Sequence, residues 1–145
     1  MAQASSARPR PSSTRPAEAR KRRAVAFDSS FLLAVMETPT PWSEDMIEKV
    51  GAFTPVVLSS VRDELARLTS KGGKRGRFAA LALGLVGEGV FSLEPDGKGK
   101  PDDEIISFAL REGAAVATLD SELAKRLRAS RVQTVITLRR GRVST

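Results

Sequence analysis

Ala24-Val-Ala-Phe-Asp-Ser-Ser-Phe-Leu-Leu-Ala-Val-Met36 is the stretch from which the rest of the chain can be read. Its first four residues form an apolar run of the kind that makes a strand buried on both faces of a parallel sheet. Asp28 then stands where a helix cap belongs, and Phe31 to Met36 begins a helix. The same succession recurs downstream. Val56-Val-Leu58, entered from Pro55, runs into Ser59-Ser60 and a helix with Val61, Leu65 and Leu68 at spacings of four and three. Ala114-Ala-Val-Ala117 runs through Thr118-Leu-Asp120 into a helix with Leu123 and Leu127. Val90 to Leu93 and Val132 to Leu138 read as further strands, the last ending in the basic run Arg139-Arg-Gly-Arg142. Strand and helix alternating at this spacing predict one α/β domain of three layers, α/β/α, around a central parallel sheet.

In such sheets ligands bind beyond the carboxyl ends of the strands, so acids far apart in sequence can converge there. Asp28 directly follows one strand, and Asp120 stands three residues beyond another. Glu64 lies in the helix after the second strand, and Asp102-Asp103 open the helix that begins at Pro101. Each acid also has an ordinary structural reading. Asp28 and Asp120 suit helix caps worth about 1 kcal/mol each, Asp102-Asp-Glu104 complements a helix dipole, and Asp63 and Glu64 suit a solvated helix face. Capping does not explain why the acids recur at one end of the sheet. Carboxylates gathered there repel one another unless a cation or proton intervenes.

Composition removes competing chemistries. The chain has no Cys, His, Tyr or Asn. Zinc fingers, thiolate nucleophiles and Ser-His-Asp triads are therefore excluded. What is left is carboxylate, hydroxyl, Lys and Arg, a donor set suited to hard cations such as Mg²⁺ or Mn²⁺. The lack of Cys fits a reducing compartment, and a cytoplasmic location is expected. No apolar run approaches the roughly 20 residues of a spanning helix, so no membrane is expected.

Charge divides the chain unevenly. Residues 1–23 hold seven cations and one acid, net +6, whereas residues 24–145 carry 17 cations and 16 acids, net +1. The first segment, rich in Pro, Ser and Arg, is expected to be a disordered tail, with neither the apolar centre of a secretory signal nor the apolar face of a transit peptide. It serves either as a sequence-independent phosphate binder or as a solubilising arm. Lys71-Gly-Gly-Lys-Arg-Gly-Arg77 reads as a basic hinge between two helices, the second with a stripe of Phe78, Leu81, Ala82 and Leu85. It lacks the Gly-Lys-Ser/Thr ending and the preceding strand of a nucleotide-binding loop. Lys74, Arg75 and Arg77 are instead candidates to hold an RNA backbone, beside the plainer reading as a solvated linker.

Four segments in order, Val25-Ala-Phe-Asp-Ser-Ser30, Ser59-Ser-Val-Arg-Asp-Glu-Leu-Ala-Arg-Leu68, Pro101-Asp-Asp-Glu-Ile-Ile106 and Val116-Ala-Thr-Leu-Asp120, resemble the PIN domain superfamily, over about residues 24–140. The superfamily includes VapC-type toxins and nucleases that mature ribosomal RNA. The resemblance implies a Mg²⁺- or Mn²⁺-dependent endoribonuclease that leaves a 5′-phosphate and a 3′-hydroxyl. It carries metal-ligand roles to Asp28, Glu64, Asp120 and either Asp102 or Asp103. Asp102 is favoured, because Ile105, Ile106, Ala109 and Leu110 then form one face, and Asp103 would stand behind it. Ser29 and Thr118 resemble the hydroxyl residues that orient such carboxylates. Glu64 or Asp102 would accept the proton of the attacking water.

The partners implied are RNA and either an antitoxin or a preribosomal particle. A homodimer is also implied, with Phe31, Leu32 and Trp42 as candidates for its surface or, in the favoured reading, for the core. Two other classes compete. One is a non-catalytic RNA-binding or ribosome-associated module of the same fold. The other is a phosphoacceptor receiver domain, which would place an acidic pair directly after its first strand, whereas here Asp28 is followed by two serines.

Overall fold

The computed structural model describes residues 22–97 and 99–145. The tail expected over residues 1–23 thus lies outside the described residues, except for Arg22 and Arg23, and Arg23 already belongs to the first strand. In chain order come β1 (Arg23–Phe27), α1 (Ser29–Glu37), α2 (Trp42–Val50), β2 (Phe53–Leu58), α3 (Ser59–Lys71), α4 (Gly73–Val86), β3 (Ser92–Glu94), α5 (Pro101–Glu112), β4 (Ala115–Ala117), α6 (Ser121–Ala129), β5 (Val135–Arg139) and β6 (Arg142–Ser144). The strands make one sheet in the order β3-β2-β1-β4-β5-β6. All neighbours run parallel except β5 and β6. A receiver domain would order its strands 2-1-3-4-5, so the topology excludes that reading.

Successive residues of a strand face opposite sides of the sheet. Val25, Ala26, Val116 and Ala117 are each 0% exposed, so both faces of β1 and β4 are covered. On one side α1 packs on α3 and α4; α5 lies against β1, β4 and α6. Phe27 anchors an aromatic cluster, meeting Phe31, Trp42 and Phe91 edge-on at centroid distances of 5.4, 5.3 and 5.2 Å. Trp42 in turn stacks on Phe91 at 5.9 Å. Phe31 and Leu32 are fully buried. Phe31 and Leu32 are core and offer no dimer surface, whereas Trp42 is partly buried, packed against that core.

Several boundaries move for physical reasons. The strand expected from Val56 begins at Phe53 and contains Pro55. A proline is tolerated there because β3 pairs with β2 only from Val56 onward, leaving one side of the strand open at Pro55. The supposed basic hinge shrinks to Gly72, and Lys74, Arg75 and Arg77 lie within helix α4. On α4 the inward face is Ala79, Ala82 and Val86, whereas Leu81 is 56% exposed. On α5, Phe108 takes the inward place expected of Leu110, which is 53% exposed. Arg139 to Arg142 is not a trailing basic end but a tight hairpin turn. Its central residues Arg140 and Gly141 both have positive φ, 52° and 74°, as mirror-image hairpin turns require. That turn sends β6 back antiparallel, which the sequence reading missed because an arginine occupies the position where Asn or Asp is the usual signal.

Candidate active site

The strand order reverses direction between β1 and β4, and the crevice outside such a switch point is where open α/β sheets bind ligands. Asp28 follows β1 and Thr118 follows β4. The backbone joins them, with the Asp28 N–H donating to the Ala117 carbonyl at 2.9 Å. Asp28 sits at the N-cap of α1 yet makes no capping bond with its side chain. Instead Oδ2 accepts from Ser30 Oγ at 2.7 Å and from Thr118 Oγ1 at 2.8 Å.

A hydroxyl has one proton to give. With both protons directed at Asp28, the 3.1 Å between Ser30 Oγ and Thr118 Oγ1 follows from sharing an acceptor. Both hydroxyl oxygens meanwhile accept from backbone: Leu119 N–H to Ser30 at 2.9 Å and Asp120 N–H to Thr118 at 3.0 Å. Two chains thus run from amide to hydroxyl to carboxylate, each link polarising the next. They converge on Asp28, which is 5% exposed.

The other acids are held by different means. Ser29 Oγ donates to Glu64 Oε1 at 2.8 Å, tying the start of α1 to α3. Asp120 is a true cap, Oδ1 accepting from the Glu122 and Leu123 N–H groups at 2.9 and 3.2 Å. Burial, and then the charges of Asp28, Asp120 and Glu64, push the Asp102 carboxyl above its ordinary value. Four carboxylates therefore share one electrostatic environment. Asp103 does not join them, because it is exposed and pairs with Arg126 at 2.6 Å.

Among the described residues no three acidic side chains stand as a ready-made cation cage. The donor set nevertheless suits a hard divalent cation. It is all oxygen, and the mutual repulsion felt at Asp102 is what a bound cation relieves.

Three residues that sequence reasoning did not single out complete the site. Ser30 is the second of the two serines after Asp28. Asp96 accepts from Ser59 Oγ at 2.7 Å and from Ser60 Oγ, holding the loop after β3 against the start of α3. Glu104 accepts from the Gly97 and Gly99 N–H groups at 2.8 and 3.1 Å. A Cβ on Gly99 would lie 2.6 Å from that carboxylate, so the alternating glycines ahead of an acidic helix start were the legible signal. Between α3, this loop and Pro101 lies a cleft of about 350 Å³, lined by Ser59, Ser60, Asp63, Arg67 and Asp96. Lys74 and Arg75 are elsewhere, lining a cleft of about 250 Å³ with Leu33, Glu37 and Phe78.

The fold and the site together define a small α/β domain with acidic side chains about its switch point. A family model described as a PIN-like domain matches residues 25–142, and the chain belongs to that family. PIN domains are in general nucleases. Among solved structures, the PIN domain endonuclease Utp24 aligns with a TM-score of 0.70 at 21% identity, covering 83% of this chain and 88% of that one. The VapBC2 complex from Rickettsia felis, bound to a DNA fragment from its promoter, aligns at 0.60 and 14%, covering 80% and 99%. A domain of a functionally unknown protein from Methanocaldococcus jannaschii aligns at 0.60 and 15%, covering 85% and 96%. No curated protein sequence matches the chain.

Proposed function

We propose that the protein is a divalent-cation-dependent endoribonuclease that hydrolyses RNA phosphodiester bonds. The observation that carries this reading is the geometry at the switch point, where Ser30 and Thr118 orient the Asp28 carboxylate and Ser29 orients that of Glu64. Mg²⁺ or Mn²⁺ held by Asp28, Glu64, Asp102 and Asp120 would acidify water and neutralise charge developing on the phosphate. The chain's own groups do the rest. Ser30 and Thr118 fix one oxygen of Asp28, Ser29 fixes one of Glu64, and the α6 amides fix one of Asp120, so the carboxylates are oriented before substrate arrives. Glu64 or Asp102 would accept the proton of the attacking water. Arg67 in the flanking cleft, and Lys74, Arg75 and Arg77 on α4, are assigned backbone contacts that give affinity without sequence choice.

The test is cleavage of a mixed single-stranded and structured RNA pool in Mg²⁺, in Mn²⁺ and in EDTA, with Asp28→Asn and matched DNA in parallel. Loss of several kcal/mol of charge stabilisation corresponds to a drop on the order of a thousandfold for Asp28→Asn. A folded protein that binds RNA but cuts in neither metal would sink the enzyme in favour of the non-catalytic RNA-binding module. Copurification tells two cellular roles apart: a small antitoxin for a VapC-type toxin, preribosomal particles for an RNA-processing enzyme.

A further inference from the structure

At the edge of the sheet opposite the carboxylates lie two adjoining clefts, of about 230 and 370 Å³, both lined by Arg23 and Gln133. Arg131 lines the first, and Lys49 and Arg128 line the second. Among the described residues no Asp or Glu side chain lines either. We propose that this edge is a second nucleic-acid contact, which grips the phosphate backbone of RNA away from the bond being cut. The inference rests on the reading of the protein as one that acts on RNA.

The cations are placed rather than scattered. Arg23 Nη2 donates to Thr134 Oγ1 at 2.6 Å, which holds the guanidinium between β1 and β5. Lys49 and Arg128 occupy the last turns of α2 and α6, where unpaired helix carbonyls favour positive charge. Arg131 is the telling residue. The Arg131 N–H donates to the Arg128 carbonyl at 3.0 Å, and the Val132 N–H to the Leu127 carbonyl at 2.9 Å. That pair of bonds closes a helix in the manner that normally places glycine at the left-handed position. Here φ is 70° and the residue is arginine. Strain of this kind in an exposed cation points to a use for the side chain.

Several separate cations over two open clefts suit a chain of phosphates better than one compact anion, and guanidinium forks match phosphate oxygens. Arg23 is also the last of four consecutive cations, Arg20-Lys-Arg-Arg23. Asp28 lies five positions further along the chain, about 17 Å at the rise of a strand. An RNA long enough to reach both places is held at this edge while it is cut at the other. A very short one is cut without that hold.

The experiment measures binding of a single-stranded oligouridylate of about 30 nucleotides to Asp28→Asn protein in EDTA, across a salt series. The comparison is with the same protein carrying Lys49→Gln, Arg128→Gln and Arg131→Gly. The expected result is weaker binding and a log–log salt slope shallower by about two, from three lost single-strand phosphate contacts. An unchanged affinity and slope in a protein of unchanged fold would overturn the proposal. Arg131→Gly alone gives a sharper separation. The expected result is a higher melting temperature with lower affinity, and a higher melting temperature with affinity intact would show that Arg131 only ends a helix. Because binding is read without catalysis, its loss or persistence is independent of whether a tetranucleotide is cleaved by the otherwise unaltered enzyme in Mg²⁺.

Discussion

The two edges of one sheet carry opposite charges, and they hold them by different physics. At the carboxyl edge, strands feed helix N-termini. Acids gather there, steadied by hydroxyls and amides from Ser29, Ser30, Thr118 and the first turn of α6. At the amino edge helices end, and Lys49, Arg128 and Arg131 sit on or just after their last turns. The helix dipole favours both placements by a few tenths to about 1 kcal/mol per charge. The difference lies in what else is present. Burial, and then repulsion among the acids at one edge, raise the Asp102 carboxyl, a tension that a cation relieves. Cations spread along the other edge stay in solvent, where they suit a long polyanion.

The largest effect that would sharpen the contrast is expected of Asp102→Asn. Cleavage should fall on the order of a hundredfold or more, as for loss of a group that handles charge in the transition state. Stability should move the other way. A carboxyl whose folded pKa stands above its unfolded one costs stability increasingly as pH rises from the unfolded pKa through the folded one. The neutral amide should therefore melt higher than the parent at pH 7 in EDTA, and should gain less on addition of Mn²⁺. A lower melting temperature in EDTA would show that the four acids do not act as one cluster.

Thr118→Val should have an intermediate effect. The isostere removes one donor to Asp28 and the acceptor of the Asp120 N–H, while Ser30 still holds Oδ2. Metal affinity or activity should fall about tenfold to a hundredfold, measured by calorimetric titration of Mn²⁺ and by cleavage rate. No change in either would assign the hydroxyl network to folding alone.

The smallest effect concerns neither edge directly. Arg142 Nε and Nη2 donate to the Asp45 carboxylate at 2.7 Å each, pinning β6 to α2. The guanidinium pulls the Asp45 pKa from 3.8 to about 2. Its contribution to stability is present above the unfolded value and is lost as pH falls from about 4 toward 2. Arg142→Gln should flatten the stability curve over that window in acid-unfolding measurements. Because the Arg142 side chain is 64% exposed, the change should be small and should shrink further in high salt.

Much of the fold and part of the site were legible from local pattern. Apolar runs before Asp28, Ser59 and Thr118 marked three parallel strands because strands buried on both faces must be continuously apolar. The acids could be named for the same reason, since each stands at a fixed place relative to the end of a strand or the start of a helix. What escaped depended on partners distant in the chain. Ser30 meets Thr118 across 88 residues, and Ser60 meets Asp96 across 36. Leu81 and Leu110 fitted a helical period yet face outward, because the period sets a stripe's spacing and not the side against which it packs.

The sequence by itself determined the class of fold, the oxygen-only chemistry and the charge imbalance, because composition, hydrophobic period and strand-end position are properties of short segments. Only the tertiary structure decided that Asp102 rather than Asp103 senses the other acids, that β6 turns back, and that Arg23, Lys49, Arg128 and Arg131 share one edge. Each of these depends on which surfaces meet when the chain closes on itself. Burial and charge–charge repulsion act over a few ångströms of space, however many residues lie between.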